Sequence, residues 1–110
     1  MTLSQRIAAL QGPDRAVDAE VAVALGWTSA TGSFATDPDG NRAWLPRYTA
    51  SLDAAMTVVP EGARVRIDVM EDGRGGAWVY WPAEMPTGFT DLCATPALAL
   101  LSAALKSRGL

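Results

Sequence analysis

Residues 64–81 read Arg64-Val65-Arg66-Ile67-Asp68-Val69-Met70-Glu71-Asp72-Gly73-Arg74-Gly75-Gly76-Ala77-Trp78-Val79-Tyr80-Trp81. At the start of this stretch Val65, Ile67 and Val69 alternate with Arg64, Arg66 and Asp68. Successive side chains of a strand point to opposite faces, so this period predicts a half-buried strand over Arg64–Met70. Glu71 to Gly76 reads as a glycine-rich turn, and Ala77–Trp81 as the antiparallel return strand. A locally connected pair makes the sheet at least partly antiparallel. Trp78 and Tyr80 share one face of the return strand, while Val79 and Trp81 share the other. Large rings on both faces predict that both faces are covered.

Upstream, a helix begins at Thr49 or Ser51. It places Leu52, Met56 and Val59 on one face with Ala55 beside them, and Pro60 and Gly62 close it. Downstream, Pro82 and Pro86 bound a loop that runs through Cys93. Thr95 is the expected N-cap of a final helix with Pro96 in its first turn. Leu98, Leu101 and Leu105 form one stripe of that helix, and Ala97, Leu100 and Ala104 a second. Lys106 and Arg108 suit its negative C-terminal end. So apolar a helix needs cover on more than one side, from a three-layer arrangement or from a subunit interface. Alternatively, its alanines simply let it pack closely on the sheet.

At the other end, Leu3–Leu10 reads as a short helix capped by Ser4 and stopped by Gly12. Pro13 and Asp14 then open a second helix, with Val17, Val21 and Leu25 at helical spacing and Gly26 as its stop. Arg15, Asp18 and Glu20 take its polar positions. Between them and Tyr48 lies the turn Asp37-Pro38-Asp39-Gly40-Asn41, in which Gly40 accepts positive φ. Ser33–Thr36 and Arg42–Leu45 are two short strands across that turn, or else a loose loop. Helices interleaved with locally paired strands define an α/β (α+β) class: a three-layer α-β-α sandwich with a small, largely antiparallel sheet.

The chain has 110 residues, 49% of them apolar, which fits one domain spanning 1–110 with its own core. Cys93 is the only cysteine, so no intrachain disulfide forms and a reducing cytosol is the expected setting. No leader segment is expected at the N-terminus. No run approaches the roughly 18 apolar residues of a membrane span, so no membrane partner is expected. The net charge is −3, which argues against duplex nucleic acid as a partner. The chain contains no histidine, which removes Ser-His-Asp and Cys-His catalysis and histidine metal sites. Cys93, lacking such a partner, reads as a buried apolar residue. We expect no enzyme activity, no catalytic residues, no cofactor and no metal.

What remains is an arginine and aromatic set. Arg47 stands beside Tyr48, and Arg64 and Arg66 share a strand face. The planar guanidinium donates two parallel hydrogen bonds to phosphate. Helix starts near Ser51 and Thr95 add backbone N–H donors. Among the four tryptophans, Trp27, Trp44, Trp78 and Trp81, most read as core or interface and the rest as stacking platforms. The expected ligand-binding residues are Arg47, Tyr48, Ser51, Arg64, Arg66, Trp78 and Thr95, and the expected ligand is a small phosphorylated nucleotide. The glycines of Gly73–Gly76 join strands and lack the Gly-Lys-Ser/Thr ending of a nucleotide-hydrolase loop. Asp37, Asp39 and Asn41 alternate as in part of a calcium loop, but the glycine is misplaced and the distal glutamate absent.

Pro46-Arg47-Tyr48-Thr49-Ala50-Ser51-Leu52-Asp53-Ala54-Ala55 resembles the P-x-Y-S/T-x-x-hydrophobic-x-A-A segment of small phage and prophage proteins. Ala94-Thr95-Pro96-Ala97-Leu98-Ala99-Leu100 resembles their closing helix. Leu25-Gly26-Trp27 is similar to the Gly-Trp ending of their first helix. Together these resemble the phage ABA-sandwich domain family. The resemblance implies an α-β-α sandwich from a phage or prophage, acting in the host bacterial cytosol. By analogy with phage anti-defence sponges, it implies a homo-oligomer that sequesters a nucleotide immune signal. The alternative is a protein-interaction or virion-accessory module that binds a host or phage protein.

Overall fold

A computed structural model describes residues 1–81 and 88–110; for 88–91 the backbone alone is described. The elements run α1 (Leu3–Ala8), α2 (Arg15–Ala24), β1 (Thr28–Thr31), β2 (Phe34–Thr36), β3 (Arg42–Trp44), α3 (Leu52–Met56), β4 (Arg64–Val69), β5 (Gly75–Tyr80), β6 (Gly88–Cys93) and α4 (Pro96–Ser107). The class is α+β, with helices and antiparallel strands in layers. The sheet component is divided into two three-stranded antiparallel sheets, ordered β1-β2-β3 and β4-β5-β6.

The expected β4–β5 hairpin is present, with Arg64 paired to Tyr80, Arg66 to Trp78 and Val69 to Gly75. Its connection is tighter than expected. Gly73 N–H bonds Met70 O at 3.0 Å and Met70 N–H bonds Arg74 O at 2.8 Å, with Gly73 at φ +90°. The turn therefore ends at Arg74, and Gly75 and Gly76 are strand residues. A β-carbon at Gly75 would lie 2.7 Å from Pro96 Cα and 3.1 Å from Asp68 O. This glycine is what lets the start of α4 approach β5.

Residues of α4 from Ala97 through Leu105 are all buried. The helix packs on β5 and β6 along one side and on α1 and α3 along others. The chain thus covers its most apolar helix by itself, and α4 needs no second subunit. Gly109 at φ +81° closes it in a Schellman motif: Gly109 N–H bonds Lys106 O at 3.0 Å and Leu110 N–H bonds Leu105 O at 2.9 Å. α2 ends the same way at Gly26, as its sequence predicts.

Several local expectations are corrected. Thr2, not Ser4, caps α1, forming a capping box with Gln5. Ser4 is buried and its carbonyl accepts from Ser102 Oγ at 2.8 Å. α1 ends at Ala8, short of Leu10 and Gly12. Asp14 is the N-cap of α2, so Pro13 precedes the helix. Asp18, placed among polar positions, is 1% exposed. α3 buries Ala55, with Val58 following it, whereas Leu52 and Met56 face solvent. A five-residue helix offers one inward position per turn, and the small Ala55 fits closest. The loop expected through Cys93 contains a strand, β6, paired with β5; its residues 82–87 lie outside the described ones. β1 has no counterpart in the expected elements, because Thr28–Thr31 is exposed throughout and carries no alternation of hydrophobicity.

Candidate functional site

The short strands β2 and β3 form the expected hairpin around Asp37–Asn41. Asp37 Oδ1 accepts from the backbone N–H of Asp39 at 3.0 Å and of Asn41 at 2.9 Å. One oxygen of that carboxylate is thereby committed to the turn. Counting outward from the turn, Thr36 pairs with Arg42 and Phe34 with Trp44. The two rings stack, with centroids 4.2 Å apart and planes inclined by 29°. Trp44 is 69% exposed. Phe34 fixes one face of the indole, so Trp44 presents an ordered aromatic surface to solvent.

The segment after Trp44 is anchored residue by residue. Leu45, Tyr48 and Thr49 are buried. Thr49 donates from both its backbone N–H and its hydroxyl to Asp18 Oδ1, each at 2.8 Å. The other Asp18 oxygen accepts from Arg15 Nη1 at 2.9 Å. Arg15 also donates to Leu45 O at 3.0 Å and Pro46 O at 3.1 Å. Asp18 and Arg15 thereby staple α2 to the 45–49 segment, and a buried carboxylate is tolerable because its partners satisfy it. Arg47 lies between these anchors and is exposed. Its guanidinium makes no hydrogen bond or ion pair among the described residues.

Trp44, Arg47, Arg15, Pro46, Ser51 and Ala54 line a groove of about 420 Å³. Ser51 caps α3, accepting from Ala54 N–H at 3.2 Å. The groove offers an aromatic plane, one uncommitted guanidinium and a second guanidinium already held by protein oxygens. An aromatic plane beside a free cationic fork suits a planar ring that carries an anionic group.

The expected site residues divide into separate places. Arg47 and Ser51 meet in this groove. Arg64, Arg66 and Trp78 share the face of the β4-β5-β6 sheet that points away from α4, since Ala77 and Val79 on the opposite face are fully buried. There the Arg66 guanidinium carbon lies 5.3 Å from the Trp78 ring centroid, and Arg66 Nε is 3.6 Å from Asp68 Oδ1. Tyr48 belongs to the core, where burial and the Asp18 charge push its phenol pKa up. Its ring offers no stacking surface to solvent; Trp44 supplies that surface instead. Thr95 caps α4 through Leu98 N–H at 3.2 Å, against β5. The sequence reading missed Phe34 and Arg15. The turn register foretells the Phe34–Trp44 pair, whereas nothing local announces that Arg15 reaches 30 residues along the chain.

Further hollows lie among the described residues. One of about 620 Å³ lies between α1 and the C-terminal end of α4, with Gln5, Ser102 and Lys106 in its wall. Another, about 480 Å³, lies between α1 and α2 under the Arg6–Glu20 ion pair. Among the described residues no group of three or more His, Cys, Asp or Glu is placed to hold a metal ion, and no helix is long and apolar enough to cross a membrane. Comparison with protein-family models, curated proteins and solved structures finds no match to this chain.

Proposed function

We propose that this protein is a non-enzymatic, homo-oligomeric binding protein that sequesters a small phosphorylated nucleotide. The observation that carries the reading is the exposed Trp44 plane, braced by Phe34, beside an Arg47 guanidinium that pairs with none of the described residues. Trp44 stacks on the base and Arg47 takes the phosphate, while Arg15, neutralised by Asp18, holds the groove wall in place. The resemblance to small phage proteins supports the setting. The nucleotide is then a host immune signal, and the protein removes it from the bacterial cytosol.

Titration calorimetry with cyclic nucleotides, cyclic ADP-ribose isomers and mononucleotides tests this. A member of the panel binds, and Trp44→Ala weakens it by roughly 5- to 150-fold, the ~1–3 kcal/mol of one base stack. Arg47→Ala weakens it by about tenfold or more, as loss of a charged hydrogen bond does. Absence of heat with every member overturns the reading. Loss of binding in Arg64→Ala or Arg66→Ala alone would move the site to the sheet face. If pull-down yields a stoichiometric protein partner and no nucleotide binds, the groove instead serves protein recognition, for which exposed Trp and Arg are equally apt.

A further inference from the structure

The two sheets treat their edges differently. β1, an edge of the first sheet, is four residues long, and its pairing slips between Thr28 and Thr31. Ser29 sits there at φ +51°, so the edge is bent and interrupted. β3, the opposite edge, has only three residues. Short, bulged edges resist pairing with other chains. β4 has none of these protections. It is six residues long, contains no Pro or Gly, and pairs with β5 in unbroken register. It forms one edge of its sheet. Among the described residues, no backbone group of 64–69 bonds to anything outside the β4–β5 ladder. Val69 at its end is 66% exposed and Met70 42%.

We infer that β4 pairs with β4 of a second copy, antiparallel about a two-fold axis at Ile67, joining two three-stranded sheets into one of six. The strand's own sequence selects this partner. Side chains directly opposite each other must share a face, so the axis passes through a residue. Centred on Ile67, Arg66 of each copy faces Asp68 of the other, giving two opposite-charge pairs across the seam. On the inner face Ile67 meets Ile67, and Val65 meets Val69 twice, covering the exposed valine. Centred one residue earlier, Arg66 faces Arg66, and like charges directly opposite are unfavourable. The Arg66–Asp68 separation of 3.6 Å within one strand shows that the two groups already lie on the same face. Pairing also brings both copies' Arg64, Arg66, Trp78 and Tyr80 onto one continuous face.

This inference concerns the oligomeric part of the proposed function and is independent of the ligand, so sedimentation tests it without calorimetry. The full chain, 11.6 kDa, sediments as a dimer over a concentration series. Asp68→Arg sets arginine against arginine twice and raises the dimer Kd by about tenfold or more. Adding Arg66→Asp to Asp68→Arg restores both pairs and the dimer, whereas adding Arg64→Asp does not. Circular dichroism confirms that each variant is folded; should Asp68→Arg fail to fold, Asp68→Asn with its milder loss of dimer replaces it. A monomer at every concentration, a dimer indifferent to Asp68, open-ended assembly, or rescue by Arg64→Asp instead of Arg66→Asp each overturns the pairing.

Discussion

Replacing Gly75 by alanine adds a single methyl group at a place where the helix and the sheet meet backbone to backbone. The new carbon would sit 2.7 Å from Pro96 Cα, 3.0 Å from Pro96 N and 3.1 Å from Asp68 O. All three neighbours are main-chain atoms, so no side chain can rotate aside. Either the start of α4 lifts from β5 or β5 bends out of its pairing with β4. Overpacking a close-packed interior costs ~1–3 kcal/mol, and a backbone-only contact belongs in the upper half of that range. Lower chain entropy in the unfolded state returns ~0.4–1 kcal/mol. The net loss is about 2 kcal/mol, and for a domain of this size that lowers Tm by about 8 °C. Gly12→Ala is the matched control, because no atom lies within 4 Å of its added carbon. It should stay within about 1 kcal/mol of the parent. Urea unfolding followed by circular dichroism measures both. Equal midpoints for the two variants would refute the view that Gly75 exists to admit α4.

Two other outcomes concern buried groups. Asp18→Ala strands the Thr49 N–H and one Arg15 contact and leaves the Thr49 hydroxyl only its longer, 3.3 Å bond to Asp14 O. It should cost about 3 kcal/mol in urea unfolding, and a loss below about 1 kcal/mol would show that the staple is dispensable. Tyr48 predicts an alkaline limit. Its pKa is raised by burial and by the Asp18 charge, so the folded state keeps the neutral phenol. Unfolded tyrosine ionises near the ordinary 10.0, so stability is full below that pH and falls as pH rises through the folded value. Tyr48→Phe should flatten that decline, and thermal melts across the alkaline range that remain parallel for both proteins would contradict it.

Legibility in the sequence follows the range of the interactions involved. The β4–β5 hairpin, the Asp37–Asn41 turn, the Gly26 stop and the Thr95 cap are set within a few residues by alternation, turn chemistry and capping, and each is where the sequence puts it, except that the hairpin turn closes at Arg74 and leaves Gly75 and Gly76 to the strand. The face of α3 misleads because two apolar residues, Leu52 and Met56, sit at helical spacing while the chain ends the helix after five residues. Once the turn is that short, what docks is decided by its neighbours, and the small Ala55 goes inward. The site is half legible. Arg47 and Ser51 do meet in one groove, but the exposed ring there is Trp44, three residues before Arg47. Tyr48 reads as amphipathic from its type alone, and its burial depends on α2 and Asp18 arriving from elsewhere. Arg15 and Asp18 look like surface charges on an amphipathic helix. Their role appears only when residues 45–49 close over them.

The position of α4 has a kinetic consequence. The helix enclosed by β5, β6, α1 and α3 is also the last of these elements to be synthesised. Until Pro96–Ser107 is available, β4 and β5 lack the helix they pack on, and α1 and α3 lack it too. The nascent chain can close its hairpins early, but these are local and marginal without a packed face. Collapse therefore waits until α4 has been synthesised and then joins distant parts of the chain in one step, a topology associated with slow folding. A ribosome stalled before residue 96 would present an unassembled chain with an open β4 edge, in place of a smaller folded domain.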